Sequence, residues 1–194
     1  MTPTLQGNLV RLEPLTLAHL PALEEFAFDP SIWRYMRNNV TTPDQLRAYV
    51  QTALQWEADG TAMPWATVSM RDGKTAGTTR FYEYDAKNKT VRIGSTWINP
   101  AYRRTGINVE AKLLQLTYAF ETLGLNRVAL ETHHENLQSQ NAMRGIGATY
   151  EGTQRNVYVM PDGSLRHNAW FSFIREEWPE VKAKLQARLT AHQP

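Results

Sequence analysis

The chain contains no cysteine in 194 residues. This absence excludes disulfide bonds, thiolate nucleophiles and cysteine-based zinc sites, and it fits a reducing compartment. No stretch approaches the ~20 apolar residues of a membrane-spanning helix. The N-terminal sequence MTPTLQGNLV also lacks the charged start and apolar run of a secretory signal. We therefore expect a cytoplasmic protein with no membrane partner.

The chain also lacks a strong excess of positive or negative charge. The 21 basic residues are interspersed with 19 acidic ones, which leaves a net charge of +2 and argues against a nucleic-acid partner. There is no Gly-Lys-Ser/Thr loop and no Gly-x-Gly-x-x-Gly, so the common nucleotide-binding motifs are absent. His133 and His134 are adjacent, but neighbours on a strand point to opposite faces and no third ligand is evident. We expect no metal site.

The remaining pattern predicts one domain with a mixed sheet. The chain is 42% hydrophobic, and 194 residues suffice for a full core. Alternating and helical periodicities follow one another in the order β–α–α–β–β–β–α–β–α–β–β–α. The strand ending near Ile98 is joined through a helix to the strand at residues 127–132, so these two should be parallel. This order predicts an α/β (α+β) layer fold with helices on both faces of the sheet.

The most informative stretch is a strand, a basic turn and a helix between residues 92 and 123. Residues 92–98 are rich in β-branched and aromatic side chains, which favours a strand. From Val109 onward apolar residues recur at steps of four and three, which predicts one buried helix face. The turn at residues 103–108 places Gly106 and two arginines at a helix N-terminus, where unpaired N–H groups favour an anion such as pyrophosphate. An ordinary turn with solvated arginines is the alternative.

Two motifs in this order resemble those of the GNAT N-acetyltransferases. The turn RRTGIN at residues 103–108 is similar to their pyrophosphate loop, Gln/Arg-x-x-Gly-x-Gly/Ala, with Asn108 in place of the last small residue. The segment from Asn136 to Ala148 resembles Asn-x-x-Ser-x-x-Ala-x-x-x-x-Gly-Phe of the RimJ/RimL-like branch, with Ala148 where Phe is usual. The resemblance implies a single GNAT domain over residues 1–194. It also implies a mostly antiparallel sheet of six to seven strands with a central parallel pair.

The resemblance further implies transfer of an acetyl group from acetyl-CoA, as co-substrate, to a primary amine. The amine would belong to a protein N-terminus or to a small molecule. In this family a backbone N–H at the end of the central strand, here near Ile98, polarises the thioester carbonyl. The residues that would contact acetyl-CoA are Trp97, Ile98, Arg103, Arg104, Thr105, Gly106, Ile107, Asn108, Asn136 and Ser139.

The proton donor for the departing CoA thiolate is assigned to Ser139 by the resemblance. Many relatives use a Tyr in this helix, but Met143 stands at that position and cannot donate a proton. The alternative is that the Ser139 hydroxyl is only an exposed or cap-like group. Asn136 would bind the pantetheine amides, cap the helix, or do both. Lys112 could reach a phosphate, although an exposed helical lysine is the simpler interpretation.

The general base and the acceptor pocket are less well specified. The predicted acceptor side of the central strand offers no carboxylate, so Glu83 and Asp85 on the preceding strand are the candidates. A water relay or capture of an already neutral amine remains open. The lack of a carboxylate on the strand favours an α-amino group as the acceptor, because its pKa is only about 8. Trp33 and Tyr35 would line the acceptor pocket, unless they pack in the core. A non-catalytic CoA-binding sensor is the alternative function, and a homodimer is left open.

Overall fold

The computed structural model describes residues 1–160 and 162–190. Strands β1 to β8 span Leu5–Gln6, Val10–Pro14, Ala62–Ser69, Thr75–Asp85, Thr90–Ile98, Arg127–His133, Thr149–Val159 and Leu165–Ile174. Helices α1 to α6 span Leu20–Ala27, Pro30–Trp33, Pro43–Ala58, Ile107–Thr117, Leu137–Gly145 and Trp178–Thr190. The turn predicted after Met160 includes Pro161, which lies outside the described residues. No helix in the described ranges is long and apolar enough to cross a membrane.

The strands form one mixed sheet in the order β1-β2-β3-β4-β5-β6-β8-β7. Strands β5 and β6 are parallel, and every other neighbouring pair is antiparallel. The predicted fold class and its central parallel pair are therefore confirmed. The sheet has eight strands where six to seven were expected. The additional strand is β1, whose two residues pair with Leu12 and Arg11 and are too few to show any periodicity.

Helices cover the sheet on both faces and divide the core in two. On what we call the α4 face, helices α4 and α6 pack on Phe81, Ile93, Leu130 and Phe171. On what we call the α3 face, helices α1 to α3 pack on Ala66 and Trp97. This second core ends at β5, because the side chains that it takes from the sheet come from β3 and β5. The α3 face of β6 and β8 therefore lies beyond that core.

Helix α4 buries polar residues that its apolar periodicity did not indicate. Glu110, Lys112 and Gln115 are all at most 6% exposed, whereas Val109 and Leu113 of the predicted apolar face are only half-buried. Each buried polar group has a local reason. The two carboxylate oxygens of Glu110 accept hydrogen bonds of 2.6–2.9 Å from the backbone N–H groups of residues 8 to 10. This fastens the turn between β1 and β2 onto the helix.

Replacing Glu110 with Gln should destabilise the fold by about 2–3 kcal/mol. The amide would turn one N–H₂ group toward backbone donors, and the charge-assisted character of the remaining bonds would be lost. Chemical denaturation of both proteins measures the difference in unfolding free energy. The same substitution at the exposed Glu176 is the control and should change that free energy by less than about 0.5 kcal/mol. Equal stability of E110Q and the wild type would contradict the role given to this carboxylate.

Candidate active site

The parallel strands β5 and β6 separate half-way along their length. Their last paired residues are Ile93 and Leu130, although β5 continues to Ile98 and β6 to His133. Strand β5 carries one extra residue relative to β4 between Gly94 and Trp97, and Ser95 within it has a φ of +47°. Such a bulge bends its strand locally. The bulge therefore lies where β5 leaves β6, and a cleft opens between the two strand ends.

The N–H group of Ile98 points into this cleft. Asn99 donates its N–H to the carbonyl of Ala76 on β4 at 2.8 Å, and Gly77 stands opposite Ile98. In an antiparallel pair, successive N–H groups alternate between the partner strand and the opposite side. The Ile98 N–H is therefore directed away from β4, toward the side that β6 has left. This places one unpaired backbone donor at the end of the central strand.

The turn before α4 presents a row of further unpaired donors. The backbone N–H groups of residues 104–109 have no acceptor among the described residues, and the first helical bond runs from Glu110 to Gly106. Arg104 and Gly106 adopt left-handed conformations with φ of +63° and +84°. Alternating conformations of this kind gather N–H groups into an anion-binding concavity. Both arginine side chains, Arg103 and Arg104, are exposed beside it.

Helix α5 begins on the other side of the cleft. Asn136 caps it by accepting the Ser139 N–H at 3.1 Å, so the cap interpretation of Asn136 is correct, although its amide nitrogen is left over for a ligand. The Ser139 side chain is half-buried, and its hydroxyl forms no hydrogen bond with a described residue. Met143 packs against the core, as its apolar side chain requires. Ser139 is therefore the free hydroxyl of this helix's first turn.

The topology brings these parts to one edge of the sheet. The C-terminal ends of parallel strands point the same way, and each strand is followed by a helix that starts there. The α4 turn follows β5, while Asn136 and Ser139 follow β6. A crevice at the carboxyl ends of diverging strands is the usual ligand site in open α/β sheets. One cleft thus brings together the turn before α4, Ile98, Asn136 and Ser139.

Lys112 lies behind the bulge and not on the surface, which makes the simpler sequence interpretation wrong. Its side chain is buried, and its Nζ donates to Gln115 at 2.9 Å, Thr96 at 3.2 Å and Thr79 at 3.3 Å. No carboxylate pairs with it in the described part of the chain. Burial lowers the pKa of Lys112 to about 7. An amine that is only partly protonated at neutral pH therefore donates a hydrogen bond to Thr96 in the bulge of β5.

The buried lysine should give the protein a measurable pH dependence. The folded-state pKa of about 7 lies below the ordinary lysine value of ~10.4. Between these values the unfolded chain binds more protons, so the unfolding free energy contributed by Lys112 rises with pH, by at most ~1.4 kcal/mol per unit. Relative to Lys112→Met, the wild type should therefore gain stability from pH 7 to pH 10. Denaturation at several pH values measures this.

The control for this experiment is Lys87→Met, because Lys87 is exposed in the turn between β4 and β5. Its stability relative to the wild type should not change with pH over the same range. A constant difference between K112M and the wild type from pH 7 to pH 10 would show that Lys112 keeps an ordinary pKa.

A carboxylate that the motif analysis missed lies where the strands part. Glu131 is the first residue of β6 beyond the last β5 pair, and it faces away from the α4 core. Its Oε1 lies 3.4 Å from the hydroxyls of Tyr82 and Tyr158, and its Oε2 is buried with no partner among the described residues. Gly94 allows this arrangement, since any Cβ there would lie 2.6 Å from the Tyr82 ring. Burial, together with the Glu131 charge, raises the pKa of both tyrosines, so both remain protonated.

Glu83 lies far from the cleft, in contrast to Glu131. It is about six residues along β4 from the position opposite Ile98, or roughly 20 Å. Its carboxylate forms a 2.9 Å salt bridge with Arg92 on an exposed surface. Asp85 lies still further along β4 and accepts hydrogen bonds from Asn88. The structure therefore does not bring either predicted base to the strand ends.

The two aromatic residues predicted to line the acceptor pocket lie in different environments. Trp33 is 4% exposed, donates its indole N–H to the Ala27 carbonyl and packs on the Trp97 ring at 5.4 Å. Both tryptophans belong to the α3-face core, so the Trp97 side chain is not available to the cofactor. Tyr35 is half-buried and stacks on His133 at 5.5 Å. Tyr35 thus lies near the Glu131 side of the cleft, and Trp33 does not.

The histidine pair needs one correction. His133 and His134 do not point to opposite faces, because β6 ends at His133 and the two ring centroids are 4.7 Å apart. No group of three or more potential ligands in the described ranges is arranged to hold a metal ion.

The sequence carries a weak signal for a functional role of Glu131 but none for the burial of Lys112. Glu131 is a lone carboxylate inside the apolar strand Arg127–His133, and a charge at such a position needs a reason. Lys112 gave no such signal, because a lysine on a helix is ordinarily exposed.

Comparison with known proteins agrees with this architecture. The model of the acetyltransferase (GNAT) domain family matches residues 10–149. A crystal structure of a candidate acetyltransferase from T. thermophilus has a TM-score of 0.88 and 34% identity, over 97% of this chain and 98% of that one. The chain therefore belongs to the GNAT acetyltransferase family, as predicted.

Two further relatives carry names that agree with the predicted RimJ/RimL-like branch. YdaF of Bacillus subtilis, named as a candidate ribosomal N-acetyltransferase, is 33% identical over 112 residues, which is 57% of this chain and 60% of YdaF. The chain thus matches less than two thirds of that protein. The structure of RimL, described as a ribosomal L7/L12 α-N-protein acetyltransferase, has a TM-score of 0.79 over 90% of this chain and 95% of RimL. At 18% identity, the similarity to RimL supports only a shared fold.

Proposed function

We propose that the protein is an N-acetyltransferase that moves an acetyl group from acetyl-CoA to a primary amine by direct attack. The observation that carries the proposal is the cleft between β5 and β6. On its donor side lie the unpaired N–H groups of Ile98 and of residues 104–109. Beyond the last β5–β6 pair lies the unpartnered carboxylate of Glu131. The names of the relatives, which include N-acetyltransferases, support the same reaction.

On the donor side, backbone dipoles supply most of the binding. The N–H groups of residues 104–109 hold the CoA diphosphate, and the Arg103 and Arg104 side chains add full positive charge. The Asn136 amide nitrogen is available to a pantetheine carbonyl. The Ile98 N–H donates to the thioester oxygen as it becomes negative in the tetrahedral intermediate. Such a preorganised donor contributes about 3 kcal/mol to transition-state stabilisation.

On the acceptor side, Glu131 replaces Glu83 as the base. An ammonium has no lone pair, so a proton must leave before nitrogen attacks the thioester carbon. The Glu131 Oε2 is an acceptor without a donor, while Oε1 is occupied by two tyrosine hydroxyls that fix the carboxylate. When the C–S bond breaks, the Ser139 hydroxyl donates to the departing sulfur.

Replacing Glu131 with Gln should lower kcat/KM at pH 7 by at least about 100-fold, the ordinary contribution of a general base. The loss should shrink toward pH 9, because more of the amine is then already neutral. Thiol release from acetyl-CoA with a panel of primary amines measures both effects. Glu83→Gln separates the two candidate bases, since it should change the rate by less than about threefold. A larger loss for E83Q than for E131Q would reverse the assignment.

Replacing Ser139 with Ala should reduce kcat by about 10- to 100-fold with little change in the KM for acetyl-CoA. The Asn136 cap uses the backbone N–H of residue 139, so the helix start is retained. Ser164→Ala, in the exposed turn between β7 and β8, is the matched control. Unchanged turnover in S139A would remove Ser139 as the proton donor.

The alternative is a sensor that binds acetyl-CoA without turning it over. Asn108 in the pyrophosphate turn and Met143 in α5 are the departures that favour it. Calorimetric binding of acetyl-CoA without thiol release, for every amine tested, would establish the sensor and exclude the transferase.

A further inference from the structure

The surface around Glu131 carries more positive charge than an amine acceptor alone requires. Arg37 lies 4.3 Å above the ring of Tyr158, whose hydroxyl contacts Glu131. Arg166 is 6% exposed and donates to the Asn168 side chain at 2.7 Å and to the Tyr35 carbonyl at 2.8 Å. Neither arginine forms a salt bridge within residues 1–160 and 162–190.

Unsatisfied donors lie on the same face of the sheet. Trp170 on β8 is the register partner of Glu131, and Asn168 is the register partner of His133. Residues two apart on a strand share a face, so all four side chains point the same way. The Trp170 Nε1 and the Asn168 Nδ2 are buried and have no acceptor among the described residues, and Asn168 is 0% exposed. Buried donors without acceptors are rare in folded proteins and indicate a missing partner.

The charges at this face do not balance. Glu131 carries one negative charge, while Arg37 and Arg166 carry two positive ones. Arg92, which covers the Trp170 ring, is already neutralised by Glu83. Burial and the nearby Arg166 lower the pKa of His133, so this imidazole is neutral at pH 7. A ligand that brought only an ammonium would satisfy Glu131, but it would leave both arginines without an anion and both buried donors without an acceptor.

We propose that the acceptor is an amine that also carries a carboxylate, with its nitrogen at Glu131 and its carboxylate at Arg37 and Arg166. This rests on the proposed function, since it assigns the substrate class of the same site. Arginine binds a carboxylate through paired N–H groups, and the orphan donors of Asn168 and Trp170 supply additional hydrogen bonds. Two sources share this chemistry: a free acidic amino acid, and a peptide N-terminus followed by Asp or Glu.

The experiment uses acceptors that differ only in one carboxylate. C-terminally amidated peptides Ser-Asp-Ala-Ala and Ser-Asn-Ala-Ala represent the peptide source, and the α-amides of aspartate and of asparagine represent the small-molecule source. Thiol release from acetyl-CoA should favour the acidic member of at least one pair by about tenfold or more in kcat/KM. The preference should appear mainly in KM and weaken with added salt, as an exposed charge contact does.

The variants are made at Arg37, because an exposed side chain can be replaced with little effect on folding. Arg37→Gln should bring the acid-to-amide ratio close to one. Arg37→Lys should retain part of the preference. Arg47→Gln, on the exposed side of α3, is the control and should leave the ratio unchanged.

The outcomes separate this inference from the proposed function. Equal rates with the acidic and neutral members, with thiol release present, would overturn the acceptor class and leave the transferase intact. A preference for the acid that survives in R37Q would overturn the role of Arg37. Absence of thiol release with all acceptors would instead contradict the proposed transferase function.

Discussion

The separation of the one parallel strand pair in the described sheet is the constraint on which the rest of the site depends. Strands β5 and β6 are hydrogen-bonded as far as Ile93 and Leu130, and there β5 inserts an extra residue at a positive φ of Ser95. The extra residue bends β5 where it leaves β6. Beyond this point the Ile98 N–H is unpaired, and Glu131 is the first residue of β6 without a β5 partner. The bulge thus lies between the donor side and the acceptor side of the cleft.

Buried polar residues of α4 stabilise this unusual strand from behind. Lys112 reaches Thr96 in the bulge and Thr79 on β4, and Glu110 fastens the turn before β2. Burying an amine without a carboxylate partner is costly, and the lowered pKa of Lys112 expresses that cost. A hydrophobic residue would fill the same space but could not hydrogen-bond the threonines. The helix therefore gives up some stability to hold the strand in a bent conformation.

Periodicity and two motifs were sufficient for the fold, and the motifs also predict the donor side of the proposed site. Strand alternation and helix caps are local features, so the element order and the parallel pair could be predicted from neighbouring residues. The acceptor side could not. Glu131, Tyr82 and Tyr158 come from three strands that are far apart in sequence, and only the β6-β8-β7 order and the small Gly94 bring them together. Glu83 is close to the central strand in sequence, but the register places it about six residues along β4 from the position opposite Ile98.

The two sides of the cleft solve opposite electrostatic problems. In the proposed reaction the donor side holds a diphosphate chiefly with backbone N–H groups, whose partial charges are fixed by the turn and the helix. In the same reaction the acceptor side needs a carboxylate that can take a proton, and Glu131 lies near Arg37 and Arg166, which form no salt bridge among the described residues. A carboxylate on the acceptor would pair with those arginines and leave Glu131 to the amine. The two charges of an acidic acceptor would therefore fix its orientation in the cleft.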